Sequence, residues 1–257
     1  MRFLLNITPL EADSVIPVNY QYPVSSWLYK TLNHGNPEFA AFLHKEGYKQ
    51  KHKNFKLFCF SQLMMDKYQV TNDRLQILAP EIRLVVSFYP IQALEPFVRG
   101  IFTNQEFIIG DRKNKAGFRI KTIEKETEPE FTDRMKFRLL SPLHISRRDP
   151  SDPGKTTHLP PEHKDFESLF FNNLVDKYNA YMPRRNFPLN DLSFNLLSRP
   201  RSKVITIKAG TPQESRLKAW LFDFSLQAPP ELIKTGYYAG FGKANSQGFG
   251  CGEIERD

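Results

Sequence analysis

The chain has 257 residues, enough for two domains of about 100–150 residues each. Hydrophobic residues make up 40% of it, including 22 Phe, which provides material for packed cores and excludes a disordered chain. The net charge of +8 favours polyanionic partners such as nucleic acid, although charge alone does not identify one.

Cysteine content and hydropathy predict the compartment. Cys59 and Cys251 are too few for a disulfide framework, so a reducing cytoplasm is expected. No run of about 18 apolar residues exists, so no membrane span and no membrane partner are expected. The segment MRFLLNITPLEADSV has a short apolar run followed by Glu11 and Asp13. It lacks the features of a signal peptide and alternates like a strand.

In the first half of the chain, hydrophobic periodicity predicts elements in the order β-α-β-β-α-β. The first helical pattern is interrupted at Gly35-Asn36-Pro37 and then resumes as a second short helix. Pro96 interrupts the pattern of the later helix. The predicted segments are a strand at 1–9, a helical region at 22–47, strands at 55–65 and 81–90, a helix at 91–102, and a strand or hairpin formed by 105–110 and 117–125.

The second half repeats this order after an acidic, proline-containing linker at 124–133. A proline-rich loop at 147–163 precedes a strongly amphipathic helix, and Pro230 can start the last helix. The predicted segments are a strand at 135–145, a helix at 164–182, strands at 191–210 and 215–229, a helix at 230–240 and a last strand at 248–256.

The duplicated order predicts an α+β protein made of two tandem ferredoxin-like (RRM-like) βαββαβ domains, 1–127 and 128–257. Each domain is expected to form an antiparallel four-stranded sheet with helices on one face. The halves show no obvious repeat of individual residues, so the duplication rests on the order of elements.

A glycine-rich segment, GFGKANSQGFG, lies between the last predicted helix and the last predicted strand. A dinucleotide fingerprint or a P-loop does not fit, because a strand follows the glycines and Ala244 follows Lys243. Bare backbone N–H groups, with Lys243 and Ser246, could line an anionic backbone. The alternative is a wide hairpin or bulge that needs positive φ. The glycines concerned are Gly240, Gly242, Gly248 and Gly250.

Tyr29, His44 and Lys56 are candidates for metal-free cleavage of RNA, in which the ribose 2′-hydroxyl is the nucleophile. Histidine suits the proton transfer because its pKa lies near neutrality. Lysine suits the charge that develops on phosphate, and tyrosine can orient the attacking or leaving oxygen. The alternatives are a surface or capping role for His44 and ring packing beside Trp27 for Tyr29.

Metal and cofactor sites are not expected. The six histidines show no spacing that suits zinc, and no cluster of acidic residues resembles the site of a two-metal nuclease.

Three basic segments interleaved with aromatic residues favour nucleic-acid binding. Each segment could also be an ordinary solvated surface. The candidate RNA-binding residues in them are Lys49, Lys51, Lys53, Arg184, Arg185, Arg199, Arg201 and Lys203.

Four segments together resemble the CRISPR-associated repeat-RNA endoribonucleases, the Cas6 family of the RAMP superfamily. They are the opening MRFLLNITP, WLYKTL with NPEFAAFLH, KLFCFS and the C-terminal GFGKANSQGFG. The resemblance covers nearly the whole chain and implies two ferredoxin-like units with a glycine-rich loop near the C-terminus.

The resemblance implies metal-independent cleavage of CRISPR repeat RNA that leaves a 2′,3′-cyclic phosphate and a 5′-hydroxyl. By position, the family's Tyr/His/Lys site falls on Tyr29, His44 and Lys56, with Lys51 and Lys53 as alternative lysines. His44 would be the general acid or base, Lys56 the phosphate stabiliser and Tyr29 the orienting hydroxyl. The glycine-rich loop and the neighbouring basic residues would hold the RNA rather than perform the chemistry.

Partners and alternatives follow from the same resemblance. The expected partner is CRISPR repeat RNA, with a CRISPR effector complex as a further partner, and the protein would be a monomer or a homodimer. A non-catalytic subunit that holds processed CRISPR RNA is the second hypothesis, and another ferredoxin-like RNA or DNA binder is the third. The retained Tyr29, His44 and Lys56 favour the enzyme, since a binding subunit need not keep them.

Overall fold

Two antiparallel sheets, one in each half of the chain, form the framework of the protein. The structure is a computed structural model that describes residues 1–149, 152, 156–188 and 191–255. No helix among these residues is long and apolar enough to cross a membrane.

The main sheet of the first half has the strand order β5-β8-β1-β10-β9, and every neighbouring pair is antiparallel. Strands β2, β7 and β6 form a small separate sheet, and β3 pairs with β4 in a hairpin. The elements are β1 (Arg2–Pro9), β2 (Val15–Pro17), α1 (Gln21–Gly35), α2 (Pro37–Lys45), β3 (Tyr48–Gln50), β4 (Lys53–Phe55), β5 (Phe58–Phe60), β6 (Tyr68–Thr71), β7 (Arg74–Ile77), β8 (Ile82–Phe88), α3 (Leu94–Thr103), β9 (Glu106–Gly110) and β10 (Lys115–Lys125).

The two faces of this sheet have different neighbours, as the alternation along β1 shows. Phe3, Leu5 and Ile7 are buried in a core that also contains the apolar residues of α1 and α3. Leu4 points to the other face and packs on a small cluster that includes Cys251 of the second half. One face therefore carries the helices, and the other meets the second half of the chain.

Helices α1 and α3 approach each other at two glycines. A Cβ atom at Gly35 would lie 1.9 Å from the carbonyl oxygen of Pro96, and one at Gly100 would lie 1.8 Å from that of Thr31. Only residues without a side chain allow this backbone contact, which fixes the position of α1 on the sheet.

The second half has a four-stranded sheet in the order β14-β17-β11-β18, again with antiparallel neighbours. Hairpins β12–β13 and β15–β16 lie outside it. The elements are β11 (Arg134–Leu139), β12 (Ser146–Arg148), β13 (Thr156–His158), α4 (Phe166–Tyr181), β14 (Ser193–Leu196), β15 (Arg201–Ile207), β16 (Ser215–Leu221), β17 (Asp223–Gln227), α5 (Pro230–Ala239) and β18 (Gly252–Ile254).

Phenylalanine dominates the core of the second half. The ring of Phe241, which belongs to the glycine-rich segment, lies 4.9 Å from that of Phe137 and 5.2 Å from that of Phe224. Phe170 of α4 also packs on it. The glycine-rich segment is therefore anchored in this core by an aromatic side chain at its beginning.

The two halves are joined by hydrogen bonds between buried groups. Arg2 of β1 donates from Nη1 to the carbonyl oxygen of Gly252 in β18 at 2.5 Å. The backbone N–H of Gln62 donates to the carbonyl oxygen of Leu140 at 2.9 Å. These hydrogen bonds determine which residues of the two halves face each other, which apolar contact alone would not do.

Several predicted helix boundaries are confirmed. Asn36 ends α1 and caps α2, because its side-chain oxygen accepts a hydrogen bond from the N–H of Phe39 at 2.9 Å. Pro230 is the first residue of α5. The predicted interruption at Pro96 is not observed: α3 begins at Leu94, and Pro96 lies in its first turn, where the missing N–H costs no helical hydrogen bond.

The prediction of two long strands at 191–210 and 215–229 is wrong, because each is divided into two. The chain leaves the sheet after β14, and Pro200, which has no N–H to donate, lies between β14 and β15. Buried Phe222 separates β16 from β17. The second part of the first predicted strand pairs with the first part of the second predicted strand, and together they form the β15–β16 hairpin.

The predicted strand 55–65 is also too long, since only Phe58–Phe60 pairs in the sheet as β5. The β6–β7 hairpin was not predicted, although Asn72-Asp73 is a turn signal and Asn72 has a φ of 56°. In the predicted loop 147–163, residues 150, 151 and 153–155 lie outside the described residues, as does 256 at the end of the predicted last strand.

Replacing Gly100 with Ala is expected to destabilise the fold by about 1–3 kcal/mol, because the methyl group would force α1 and α3 apart. Denaturant unfolding followed by circular dichroism measures the change in midpoint. Glu95→Ala on the same helix is the control, since that side chain is 84% exposed and the substitution should cost less than about 0.5 kcal/mol. Equal midpoints for the two variants would contradict the close helix contact.

Candidate active site

Tyr29 of α1 and His44 of α2 lie side by side. The chain reverses at Asn36, so α2 packs back on α1 and the two rings meet with centroids 5.2 Å apart at an interplanar angle of 84°. They line an open cleft of about 330 Å³, in which His44 is exposed and Tyr29 is partly buried. An exposed imidazole beside a tyrosine hydroxyl can exchange protons with a bound ligand.

Lys56 joins this pair through the backbone. Its Nζ donates a hydrogen bond to the carbonyl oxygen of His44 at 2.8 Å. The next residue, Leu57, is buried and has a φ of 54°, a strained conformation for leucine that redirects the chain into β5. Partial burial lowers the pKa of Lys56. The structure thus brings together the three residues that the sequence proposes for catalysis.

The glycine-rich segment forms a loop that requires its glycines. The φ values of Gly240, Gly242, Gly248 and Gly250 are 87°, 69°, 89° and 70°, and residues with a side chain rarely adopt such positive φ values. A Cβ atom at Gly250 would lie 1.8 Å from the carbonyl oxygen of Phe241. The side chain of Asn245 closes the loop by donating to the carbonyl oxygens of Phe241 and Phe249, each at 2.9 Å.

This loop packs on α1 beside Tyr29. Ser25 donates from Oγ to the carbonyl oxygen of Ser246 at 2.6 Å. Burial raises the pKa of Tyr29 to about 12, and a hydrogen bond with the Ser246 side chain opposes part of that shift. Tyr29 is therefore a neutral hydroxyl at physiological pH. The loop and the candidate catalytic residues, which the sequence separates by about 200 positions, form one site.

Contact of the bare glycine backbone with RNA remains a prediction: Gly240, Gly242, Gly248 and Gly250 are all buried, although Gly242 lines a cavity beside the cleft. Several of their N–H groups are also used within the protein: that of Gly250 donates to Pro142 O at 2.9 Å and that of Gly248 to Asn245 O at 3.0 Å. The alternative of a loop that needs positive φ describes these four positions.

Lys243 and Ser246 belong to the accessible part of the loop. The Nζ of Lys243 donates to the carbonyl oxygen of Ser146, and its backbone N–H donates to that of His144 at 2.8 Å. Burial lowers the pKa of Lys243, and the neighbouring charges of Lys53 and Arg148 lower it further. Contact of Lys243 and Ser246 with RNA remains a prediction.

A second cavity of about 350 Å³ adjoins the cleft between the β3–β4 hairpin and the loop. Its basic and polar lining residues are Lys53, Asn54, Lys56, Asn173, Lys177, Lys243, Asn245 and Ser246. Because Lys56 contacts His44 and Ser246 contacts Tyr29, the cavity continues the cleft. The arrangement offers a positively charged path past the candidate catalytic residues.

The other lysines near the site are paired with carboxylates. Lys51 and Lys53 lie 3.8 Å and 2.5 Å, respectively, from the carboxylate oxygens of Asp176, whose side chain is 8% exposed. Lys49 pairs with Glu46 at 2.9 Å on the surface. Lys56 differs from Lys51 and Lys53 because it donates a hydrogen bond to the backbone of His44, whereas they pair with Asp176.

The remaining predicted RNA-binding residues are exposed, and they are not among the residues that line the cleft or the second cavity. Arg185 pairs with Glu231 and lies over the ring of Phe187 at 5.1 Å. The β15–β16 hairpin reaches the loop through Ile205 and Ile207, which pack on Phe249. Contact with RNA remains a prediction for these residues, which are Arg184, Arg185, Arg199, Arg201 and Lys203.

Helix α4 contributes residues that the sequence reading did not identify. Asn173, Asp176 and Lys177 are buried polar residues with spacings of three and four, which puts them on one face of the helix. The Nζ of Lys177 donates to the carbonyl oxygens of Gly240 at 2.5 Å and Gly242 at 2.6 Å. Burial lowers the pKa of Lys177 to about 7. Three polar residues at spacings of three and four on one face of an amphipathic helix were the available signal.

In the described part of the chain, no group of three or more His, Cys, Asp or Glu side chains lies close enough together to bind a metal ion. The expectation of a metal-free reaction remains a prediction.

Two family models match the chain. The model described as CRISPR associated protein Cas6, C-terminal, matches residues 126–254, and the one described as CRISPR-associated protein Cas6, N-terminal, matches residues 15–123.

Similar proteins agree with these models. The CRISPR-associated endoribonuclease Cas6 of Pyrococcus furiosus is 29% identical over 99% of this chain and 90% of its own length. The CRISPR-associated endoribonuclease Cas6 1 of Methanocaldococcus jannaschii is 28% identical over 94% of this chain and 89% of its own length.

Solved structures share the fold. The structure of a Cas6-related gene product from Pyrococcus furiosus has a TM-score of 0.85 at 24% identity and covers 100% of this chain and 99% of its own. A structure titled "An RAMP protein binding different RNA substrates" has a TM-score of 0.83 at 21% identity and covers 100% of both chains.

Proposed function

The chain belongs to the Cas6 family of CRISPR-associated proteins, and from this membership we propose that it is an endoribonuclease that cuts CRISPR precursor RNA within each repeat. The observation that carries the proposal is the contact of Tyr29 with His44 in a solvent-open cleft, with Lys56 hydrogen-bonded to the backbone of His44 from a cavity that both halves of the chain line. The products would be individual guide RNAs.

The proposed reaction uses the RNA as its own nucleophile. The 2′-hydroxyl oxygen bonds to the adjacent phosphorus while the bond from phosphorus to the 5′-oxygen breaks, which gives a 2′,3′-cyclic phosphate and a 5′-hydroxyl. One proton leaves the 2′-hydroxyl and one reaches the 5′-oxygen. Since neither bond change needs a metal or a protein nucleophile, the cleavage is proposed to be metal-independent.

Each side chain has a role that its environment supports. His44 is exposed and serves as the general acid or base. The cationic Nζ of Lys56 stabilises the charge on the phosphorane. Tyr29 has a pKa raised to about 12, so it stays protonated and orients an oxygen of the scissile phosphate by donating a hydrogen bond.

Lys56 is the proposed catalytic lysine among the three candidates. It lines the cavity beside Ser246 and is fixed to the backbone of His44. Lys51 and Lys53 are held by Asp176, which neutralises part of their charge. Their proposed role, together with Lys49 and Lys243, is to hold the RNA backbone.

The two halves are proposed to be two ferredoxin-like domains, 1–127 and 128–257. The order β5-β8-β1-β10 in the first half and β14-β17-β11-β18 in the second both correspond to order 2-3-1-4 of a βαββαβ unit. Separate cores in the two halves support a boundary near the acidic linker. The β9 strand and the small hairpins are additions to the two units.

A non-catalytic RNA-binding subunit is the second candidate, and the RAMP structure described above, titled as binding different RNA substrates, is the observation that favours it. The exposed His44 beside Tyr29 favours the enzyme, because pure binding requires no proton-transfer group. Repeat RNA would be the partner in either case, and an effector complex and a homodimer remain further proposals.

The purified protein is expected to cut its cognate repeat RNA at one position in the presence of EDTA, because the mechanism uses no metal. Replacing the ribose at that position with deoxyribose should abolish cleavage and leave binding unchanged, which gel electrophoresis and a filter-binding assay measure. Cleavage of the deoxy substrate would exclude the 2′-hydroxyl mechanism. Binding without cleavage of the all-ribose substrate would support the non-catalytic subunit.

His44→Ala is expected to lower the single-turnover cleavage rate by about 10²-fold or more, since proton transfer by a positioned histidine typically contributes about 10²–10⁴-fold. The control is His163→Ala, whose ring is 30% exposed ahead of α4 and does not line the cleft. If His44→Ala cleaves RNA at the same rate as the control, another residue must transfer the proton.

Substitution of the three lysines is expected to separate chemistry from binding. Lys56→Ala should lower the saturating cleavage rate by roughly 10²-fold with little change in RNA affinity, because its charge acts on the transition state. Lys51→Ala should weaken binding and leave the saturating rate nearly unchanged, whereas Lys53→Ala, which also removes the 2.5 Å contact with Asp176, should weaken binding and lower the rate less than Lys56→Ala does. The opposite pattern would assign the catalytic role to Lys51 or Lys53.

A further inference from the structure

Two consecutive residues of α4 reach both sides of the proposed site. Asp176 accepts from the β3–β4 hairpin, through Lys53 at 2.5 Å and Lys51 at 3.8 Å. Lys177 donates to the glycine-rich loop, at the carbonyl oxygens of Gly240 and Gly242. One turn of helix thus contacts the segment that leads to Lys56 and the segment that leads to Ser246.

The environment of Lys177 is unusual for a lysine. The residue is 2% exposed, and its Nζ is held by two backbone carbonyls. A buried ammonium group costs free energy, which these short charge-assisted hydrogen bonds offset in part. The arrangement is sensitive to geometry, because displacement of the loop would leave a buried cation without its acceptors.

The charged and titratable neighbours of Lys177 come from several elements. Cys59 of β5 is a neighbouring thiol that is neutral at physiological pH because burial raises its pKa, and Asp176 precedes Lys177 on α4. Lys53, Lys56 and Lys243 line the same cavity. Further positive charge in this cavity disfavours the ammonium form, so the two carbonyl oxygens are its main stabilising contacts.

We propose that Asp176 and Lys177 are positioning residues that hold the β3–β4 hairpin and the glycine-rich loop at a fixed separation across the proposed site. The inference rests on the proposed function. Lys177 fixes the beginning of the loop, whose Ser246 contacts Tyr29. Asp176 fixes the hairpin, whose end carries Lys56.

A positioning role has a kinetic signature that differs from RNA binding. Lys177 is 2% exposed and donates two of its three N–H groups to backbone carbonyls, so its removal should misplace reacting groups more than it removes an RNA contact. A misplacement of about 1 Å can cost about 10²-fold in rate. The saturating cleavage rate should therefore fall while RNA affinity is kept.

The decisive variant is Lys177→Met, which keeps the length of the side chain and removes its donors. The single-turnover rate is expected to fall about ten-fold or more, with the Kd for a 2′-deoxy repeat RNA changed by less than about three-fold. Lys177→Gln restores a donor and should recover part of the rate. Lys164→Met is the matched control, because Lys164 is exposed just before α4.

Amide hydrogen exchange tests the same proposal without any activity. Lys177→Met should lose protection at the N–H groups of Phe241, Lys243 and Gly250, which the loop fold buries in hydrogen bonds. Asp176→Asn should lose protection in the β3–β4 hairpin instead. If Lys177→Met does not fold, Lys177→Gln carries the exchange and rate measurements.

The pH dependence of stability gives a further readout. The pKa of Lys177 is about 7 in the folded protein and about 10.4 in an unfolded chain, so between these values the unfolded chain binds more protons. Its contribution therefore destabilises the fold below pH 7 and is relieved as pH rises toward 10. The melting temperature of the wild type relative to Lys177→Met should rise from pH 7 to pH 9.

Two results would overturn the positioning role: wild-type rate with wild-type loop protection in Lys177→Met, or an equal loss of rate and RNA affinity. No pH-dependent difference in melting temperature would contradict the lowered pKa of Lys177 but not its contacts with the loop. If the wild type itself does not cut RNA, the proposed function fails, and the exchange experiment then still decides whether Lys177 holds the loop.

Discussion

Close backbone packing of the glycine-rich loop against β5 is the constraint on which the rest of the site depends. A methyl group at Gly248 would lie 2.9 Å from Cε2 of Phe60, and one at Gly240 would lie 2.8 Å from Cβ of Cys59. Both neighbours belong to the first half, so the absence of two side chains lets the halves approach each other. This approach places Ser246 on Tyr29 and gives the cavity beside the cleft a wall from each half.

The geometry of the loop also accounts for a buried cation. The backbone between Gly240 and Gly242 turns two carbonyl oxygens toward α4, and the side chain of Lys177 on that helix donates to both of them. One ammonium group satisfies both oxygens, whereas an apolar residue at position 177 would leave two buried acceptors without partners. Lys177 is therefore a consequence of the loop conformation, and the loop conformation is a consequence of its glycines.

Local sequence patterns predicted the order of elements well and their contacts poorly. Asn36, Pro37 and Pro230 act on their own helix ends, so their effects were readable from the sequence. The hydrogen bond from Ser25 to Ser246 joins residues 221 positions apart, and no hydrophobic periodicity encodes it. The residues proposed for catalysis came from family resemblance and position, because an isolated histidine on a helix has no distinctive pattern.

The double role of Asn36, which ends one helix and caps the next, fixes the length of chain between Tyr29 and His44. Both residues lie on rigid helices that meet at this cap, so there is no loop in which an insertion could be absorbed. One extra residue within α2 would rotate His44 by about 100° around the helix axis and away from Tyr29. Over evolution, length changes should therefore accumulate in the hairpins and not in this segment.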